Sequence, residues 1–286
     1  MRIRTGERIR SQKGGGALRN EYAGNLESAP AAELTFVELM SLTCDDIREK
    51  VVLCGCRFDE VTGFDEMRAV LYAEERDYFD SLKFVRRKTS FLLGRYSAKK
   101  ALAAYLGEQD LHRILIKPGI FNHPVVLYPY RESVQVTITH CDCLGAAIAY
   151  PETFPMGIDI ERSDIGKVTI LEKQITAREK EKLAFLPLSY EKGLTFLWTA
   201  KEALSKIMRT GLTAPFHFFE LGDMVYSPGG HIAGFFRNFP QYKVRSFCFG
   251  DYVFTVAFPK NAELSFGPDT VRRLIRLTKT GHLTAV

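Results

Sequence analysis

No stretch of this sequence approaches the ~18 consecutive apolar residues that a membrane-spanning helix requires. No apolar run follows its basic start, so no secretory leader is expected. Cysteine is sparse: Cys44, Cys54, Cys56, Cys141, Cys143 and Cys248 are the only six in 286 residues. A chain this long needs no covalent staples, so reduced thiols in a reducing cytoplasm are expected rather than three disulfides. The pairs Cys54/Cys56 and Cys141/Cys143 are one residue tighter than a zinc-binding C-x-x-C, which argues against structural zinc. Net charge is also missing from most of the chain. The formal +5 is accounted for by residues 1–20, where Arg2, Arg4, Arg8, Arg10, Lys13 and Arg19 face one acid, Glu7. The other 33 basic and 33 acidic residues cancel, so no global face for nucleic acid is expected. What is present is core-forming material. The chain is 46% hydrophobic with 21 Phe and 12 Tyr, which excludes disorder throughout.

Residues 1–33, with Gly14-Gly15-Gly16 and no apolar period, read as a disordered basic tail. Met40, just beyond them, marks an alternative start. Residues 34–156 form a first half, with helices at 73–79 and 90–106, the second stopped by Gly107. Short strands follow at 114–116, 125–127, 134–139 and 144–150. Residues 157–267 form a second half. It opens with a strand at 157–161, then a helix over 176–186 with a Thr176/Glu179 capping box and a helix over 194–208 ended near Gly211. Strands follow at 216–221, 231–236, 242–247 and 252–257. Residues 268–286 read as a basic, helical tail with Arg272, Arg273, Arg276 and Lys279. Each half runs from helices into strands, which predicts an α+β fold. No residue-by-residue repeat is visible, so a duplication is suggested only by the order of elements.

Four constellations carry possible chemistry. In Gly157-Ile158-Asp159-Ile160-Glu161, a strand places Asp159 and Glu161 on one face with the isoleucines behind them. Paired carboxylates repel unless a cation or proton intervenes, and an all-oxygen donor set suits Mg²⁺; a solvated strand face is the plainer reading. In Trp198-x-x-Lys201-Glu202-Ala203-x-x-Lys206, helical spacing puts Glu202 and Lys206 on one face, which an ordinary i,i+4 ion pair also explains. His140, with Thr139, ends an alternating strand, as a structural histidine or as a phosphate contact at a cleft rim. Arg86, Arg87 and Lys88 precede a helix start, followed by Arg95 and Lys99; they are either a solvated face or an anion contact.

In this order the motifs resemble the 4′-phosphopantetheinyl transferases of the larger, single-chain, surfactin-synthetase-activating type, over roughly residues 70–258. Gly157-Ile-Asp-Ile-Glu161 and Trp198-x-x-Lys201-Glu202-Ala203-x-x-Lys206 carry the resemblance most strongly. Ile138-Thr139-His140-Cys141 is similar to the family's Ile-Ser-His-Ser, and Asn122-His123-Pro124 stands at its Gly-Lys-Pro. Gly211-Leu212 and Pro215 match the turn after the lysine helix. The resemblance implies two similar α+β halves with the active site in the cleft between them. It also implies transfer of the phosphopantetheine arm of coenzyme A to a serine of an apo acyl or peptidyl carrier protein, releasing 3′,5′-ADP. The implied Mg²⁺ ligands are Asp159, Glu161 and Glu202. Glu202 and Lys206 are the implied catalytic residues, and His140, Thr139, Arg87, Lys88 and Lys201 are expected on the coenzyme A side. A monomer without membrane or nucleic-acid partners is expected. Two competing readings are an inactive relative that only binds carrier proteins and a Mg²⁺ nuclease. Intact Asp159, Glu161, Glu202 and Lys206 count against the first. Ser163, where such nucleases carry a lysine, counts against the second.

Overall fold

Two hairpin-forming stretches that sequence periodicity left unread open the structure. Thr35–Cys44 (β1) pairs antiparallel with Ile47–Arg57 (β2) across a tight turn in which Asp45 is left-handed, at φ 50°. The computed structural model describes residues 35–58, 63–130 and 133–278, so the tail at 1–33 and Lys279 lie outside the described residues. Met40 is buried mid-strand in β1; a chain starting there would lose half of this pairing.

Helices Gly63–Ala69 (α1), Ala73–Ser81 (α2) and Val85–Leu106 (α3) come next, followed by strands Leu115–Pro118 (β3), Pro124–Leu127 (β4), Val134–Cys141 (β5) and Leu144–Pro151 (β6). Gly107, at φ 72°, terminates α3 in the left-handed conformation that glycine adopts without strain. Gly157–Arg162 (β7) leads into Val168–Glu172 (α4), Ala177–Leu183 (α5) and Tyr190–Met208 (α6). Thr176 and Glu179 form the expected capping box on α5. The chain continues through Leu221–Ser227 (β8), His231–Phe236 (β9), Tyr242–Phe249 (β10), Tyr252–Pro259 (β11), Glu263–Leu264 (β12) and Pro268–Thr278 (α7). The fold is mixed α+β, with two antiparallel five-stranded sheets ordered β12-β1-β2-β6-β5 and β7-β11-β10-β9-β8, and a small β3-β4 hairpin. Among the described residues no helix is long and apolar enough to cross a membrane.

Helix α3 covers the first sheet and α6 the second. The sheets share one core in which Phe36, Leu53 and Ile148 meet Ile158, Phe254 and Phe258. Edge strands β5 and β7 adjoin without a ladder of their own. Instead the Ile158 and Ile160 amides donate to the hydroxyls of Thr137 (3.2 Å) and Thr139 (3.1 Å). Threonine side chains thus satisfy edge amides that would otherwise be buried unpaired.

Three expectations change. The apolar run at 216–221 is a 3₁₀ turn over Phe216–Phe219 that precedes β8, because Pro215 starts a tight turn rather than a ladder. The basic segment after 267 is helical as expected but packed rather than a tail: Val271, Leu274 and Leu277 of α7 are buried in the shared core, and Arg273 lies over the Phe36 ring. Segment 263–264 also pairs with β1, so it belongs to the first sheet.

Two buried ion pairs tie helices to strands. Glu75 of α2 accepts from the Tyr72 and Ile116 amides and lies 2.8 Å from Lys99 Nζ of α3. Glu179 of α5 accepts from the Thr176 and Leu221 amides and lies 2.7 Å from Lys201 Nζ of α6. Breaking such a pair leaves an uncompensated buried charge. Lys99→Met is therefore expected to destabilise the fold by about 3–5 kcal/mol, read as a lower urea midpoint.

Candidate active site

Strand β7 alternates as its sequence dictates. Ile158 and Ile160 face the core while Asp159 and Glu161 share the opposite face. Helix α6 lies directly on this strand: a Cβ at Gly157 would come within 1.9 Å of the Ala203 carbonyl oxygen. The absent side chain lets the helix carrying Glu202 approach the strand carrying Asp159. Gly157→Ala must push backbone apart; a loss of about 1–3 kcal/mol is expected from overpacking, seen as a lower melting temperature.

Asp159 is the centre of the site and is buried. Its Oδ1 accepts from Thr139 Oγ1 at 2.9 Å and from Lys206 Nζ at 2.9 Å, while Lys206 also donates to the Ile158 carbonyl at 2.7 Å. Its Oδ2 is buried without any hydrogen-bond partner. One oxygen is saturated and the other is bare, an expensive arrangement unless something else binds there. The ordinary i,i+4 ion pair that would explain Glu202 and Lys206 does not form, because the Lys206 ammonium is drawn to Asp159 instead. Glu202, partly buried on the same wall, is pushed up to about 7 by burial and then by the Asp159 charge. Glu161 is also raised, by burial and Asp159, although Lys167 lies 3.3 Å from its Oε2. Beside it the Cys141 thiol, 3.9 Å away, is held protonated, its pKa pushed up to about 12 by burial.

Asp159, Glu202 and Lys206 line a cleft of about 870 Å³ that runs along β5 to the β3-β4 hairpin and the outer faces of α2 and α3. Thr139, His140, Arg87 and His123 line it as well, as do Arg95 and Lys117 together with their partners Glu75 and Glu74. His140 keeps an exposed edge at the mouth, yet the surrounding protein and Lys206 hold its pKa below the usual histidine value. Phe121 and Asn122 at the rim are both left-handed (φ 55° and 61°), a strained backbone that naming the Asn122-His123-Pro124 motif did not reveal. Arg95 packs over Phe91 and lies 3.5 Å from Glu75. A shallower depression by Thr176, His217 and Asn238 holds none of the expected site residues.

The expected site residues therefore divide. Asp159, Glu202, Lys206, Thr139, His140 and Arg87 share the cleft. Glu161 stands beside Asp159 on β7 but turns towards Lys167. Neither Glu161 nor two further residues, Lys201 and Lys88, line the cleft. Lys201 is fully buried, bound to Glu179 and the Gln174 carbonyl (2.8 Å), because adjacent helical positions point in different directions. Lys88 turns onto the Phe79 ring, 5.1 Å from its centroid. The helix also starts earlier than expected, so Arg86 and Arg87 sit within its first turn rather than before it. Thr139 is in the cleft, but its hydroxyl is committed to Asp159 and the Ile160 amide rather than free for phosphate. Among the described residues no three His, Cys, Asp or Glu side chains already stand together as a metal cage. The chemistry of the donors nevertheless fits a hard divalent cation: Asp159 and Glu202 share the cleft wall, Glu161 follows Asp159 on the same strand face, and one buried Asp159 oxygen is bare.

The family model for the 4′-phosphopantetheinyl transferase superfamily matches residues 155–257, the segment that carries β7, α6 and the three carboxylates. A domain of that superfamily covers this part of the chain. The chain is also similar to enterobactin synthase component D of Escherichia coli O157:H7 and of Shigella flexneri, at 32% identity over 123 residues in each case. These matches cover 42% of this chain and 54% of each relative, so the chain spans about half the length of the curated relatives it matches. The superfamily domain thus coincides with the strand and helix that build the acidic end of the cleft, while Arg87, Arg95 and His140 lie outside it.

Proposed function

We propose that this chain transfers the 4′-phosphopantetheine arm of coenzyme A to a serine hydroxyl of an apo acyl or peptidyl carrier protein, releasing 3′,5′-ADP. The observation that carries this reading is the Asp159 end of the cleft, where a carboxylate pushed up to about 7 stands beside an Asp159–Lys206 pair; Arg87 lies farther along, as do Arg95 and Lys117, paired with Glu75 and Glu74. Asp159, Glu161 and Glu202 would hold Mg²⁺, Glu161 leaving Lys167 to do so. When bound, that cation supplies positive charge to the diphosphate.

The chain's own groups perform the rest. Glu202 takes the proton from the attacking serine as its oxygen bonds to the pantetheine-side phosphorus and the bridging bond to 3′,5′-ADP breaks. Lys206 donates to the charge that develops on the departing phosphate. His140, held largely neutral, offers a hydrogen bond at the cleft mouth, and Arg87 and Arg95 offer charge to the 3′-phosphate.

The single-chain type with two related halves meeting at residues 156/157 is part of the same proposal. It is supported by the Glu75–Lys99 and Glu179–Lys201 pairs, each joining an N-terminal helix carboxylate, a long-helix lysine and a strand-opening amide. A cytoplasmic monomer fits it. The test is incubation with coenzyme A, Mg²⁺ and a panel of apo carrier proteins of the fatty-acid, polyketide, peptide-synthetase and aminoadipate-reductase types. Each carrier is then weighed by mass spectrometry. A gain of one phosphopantetheine, abolished by chelator, is expected. No modification of any carrier would refute the reading.

A further inference from the structure

The lysine beside Glu202 has a different task from the one its position in the motif suggests. We propose that Lys201 is a positioning residue: its buried pair with Glu179 fixes the rotation of α6 and so aims Glu202 and Lys206 at Asp159. This rests on the transferase reading for what the aimed residues do. The geometry has two independent anchors. Gly157 sets how closely α6 approaches β7, because the Ala203 carbonyl occupies the space of a missing Cβ. Phe196, Leu197 and Leu204 seat the apolar face of α6 in the second core, but such packing is less directional than a charge-assisted hydrogen bond. Lys201 supplies the rotational stop. Its Nζ lies 2.7 Å from Glu179 Oε2 and donates to the Gln174 carbonyl at 2.8 Å, with the side chain wholly inaccessible.

Glu179 cannot yield, because its carboxylate also accepts from the Thr176 and Leu221 amides and thereby belongs to the start of α5 and of β8. On a helix each residue turns roughly 100°, so Glu202 and Lys206 lie about 100° and 140° around from Lys201 and are only about 40° apart. Fixing Lys201 on one side fixes both on the other. The first half carries the same device without a carboxylate after its lysine: Glu75 binds Lys99, the Tyr72 amide and the Ile116 amide, and Lys100 follows. A clamp built twice, once with no acid beside it, is a means of setting a helix and not itself a ligand for coenzyme A.

The test uses the full chain as wild type, Lys201→Met, and Lys201→Met/Glu179→Gln, which removes both buried charges together and keeps the fold accessible should the single variant fail to fold. Transfer kinetics give kcat and the KM for coenzyme A, and amide hydrogen exchange reads residues 202–208. The folded double variant is expected to lose at least tenfold in kcat, keep KM within about twofold, and exchange faster at 202–208 while α3 is unchanged. A wild-type kcat overturns the proposal and leaves the clamp purely structural. A tenfold higher KM with unchanged kcat overturns it in favour of Lys201 as a coenzyme A contact. Unchanged exchange at 202–208 overturns it regardless of activity. Wild-type protein that modifies no carrier refutes the transferase reading instead, and the exchange result still decides whether Lys201 holds the helix.

Discussion

Asp159→Ala is expected to lower transfer to a carrier protein by at least about 10²–10³-fold, the scale of losing one preorganised electrostatic partner at a reacting phosphate. The expectation follows from how many groups this carboxylate serves. Its Oδ1 holds Lys206 and the Thr139 hydroxyl, and its bare Oδ2 is the buried oxygen best placed to meet a cation. Alanine removes all three functions and frees Lys206 to turn towards Glu202. The pKa of Glu202 should fall, because the Asp159 charge is the second cause, after burial, of its elevation. Coenzyme A affinity should change much less, since Arg87 and Arg95 lie elsewhere along the cleft. Kinetics by carrier mass and direct titration of coenzyme A separate the two effects. Transfer near the wild-type rate would mean that Asp159 only braces the seam between β5 and β7.

Local signals were the most legible in the sequence. The capping box at Thr176 and Glu179 is read from four residues, and the β7 alternation from five, since both depend only on near neighbours. The acidic wall was legible because one strand and one helix present it. What escaped was set by distant partners. Lys201 reads like any charged helix residue; the carboxylate that buries it lies 22 positions upstream, beyond any periodicity. Lys206 was matched to Glu202 by helical spacing, yet a carboxylate on another element competes better because it is more buried and is shared with Thr139. In α7 a signal was present: Val271, Leu274 and Leu277 recur every three residues, but with Arg272, Arg273 and Arg276 between them the helix read as a basic tail. Phe216–Phe219 shows the reverse failure, a short apolar run that fits a strand and a turn equally well.

Glu202→Gln separates base chemistry from cation binding and carries a signature in stability as well as in rate. Loss of a general base typically costs about 10²–10⁴-fold, and the variant keeps the size and shape of the side chain. In the wild type the rate should fall about tenfold per pH unit below the pKa of Glu202, which burial and Asp159 push up to about 7 without a cation and which a bound cation draws lower. The variant should lack this limb. The stability effect runs in the opposite direction. A carboxyl whose folded pKa lies above its unfolded value binds its proton more tightly when folded. The stability it contributes is complete at low pH and is lost as pH rises to about 7. At about pH 8 the ionised Glu202 is a burden that glutamine removes, so the variant should melt higher than wild type, and the gap should close towards about pH 5. Slower transfer together with higher stability marks a residue kept for chemistry against the preference of the fold. If added Mg²⁺ restores part of the lost rate, Glu202 acts chiefly as a ligand; if it restores none, Glu202 acts as the base. A variant that transfers at the wild-type rate at every pH, with an unshifted melting curve, would remove Glu202 from the reaction and leave the cleft without its proton acceptor.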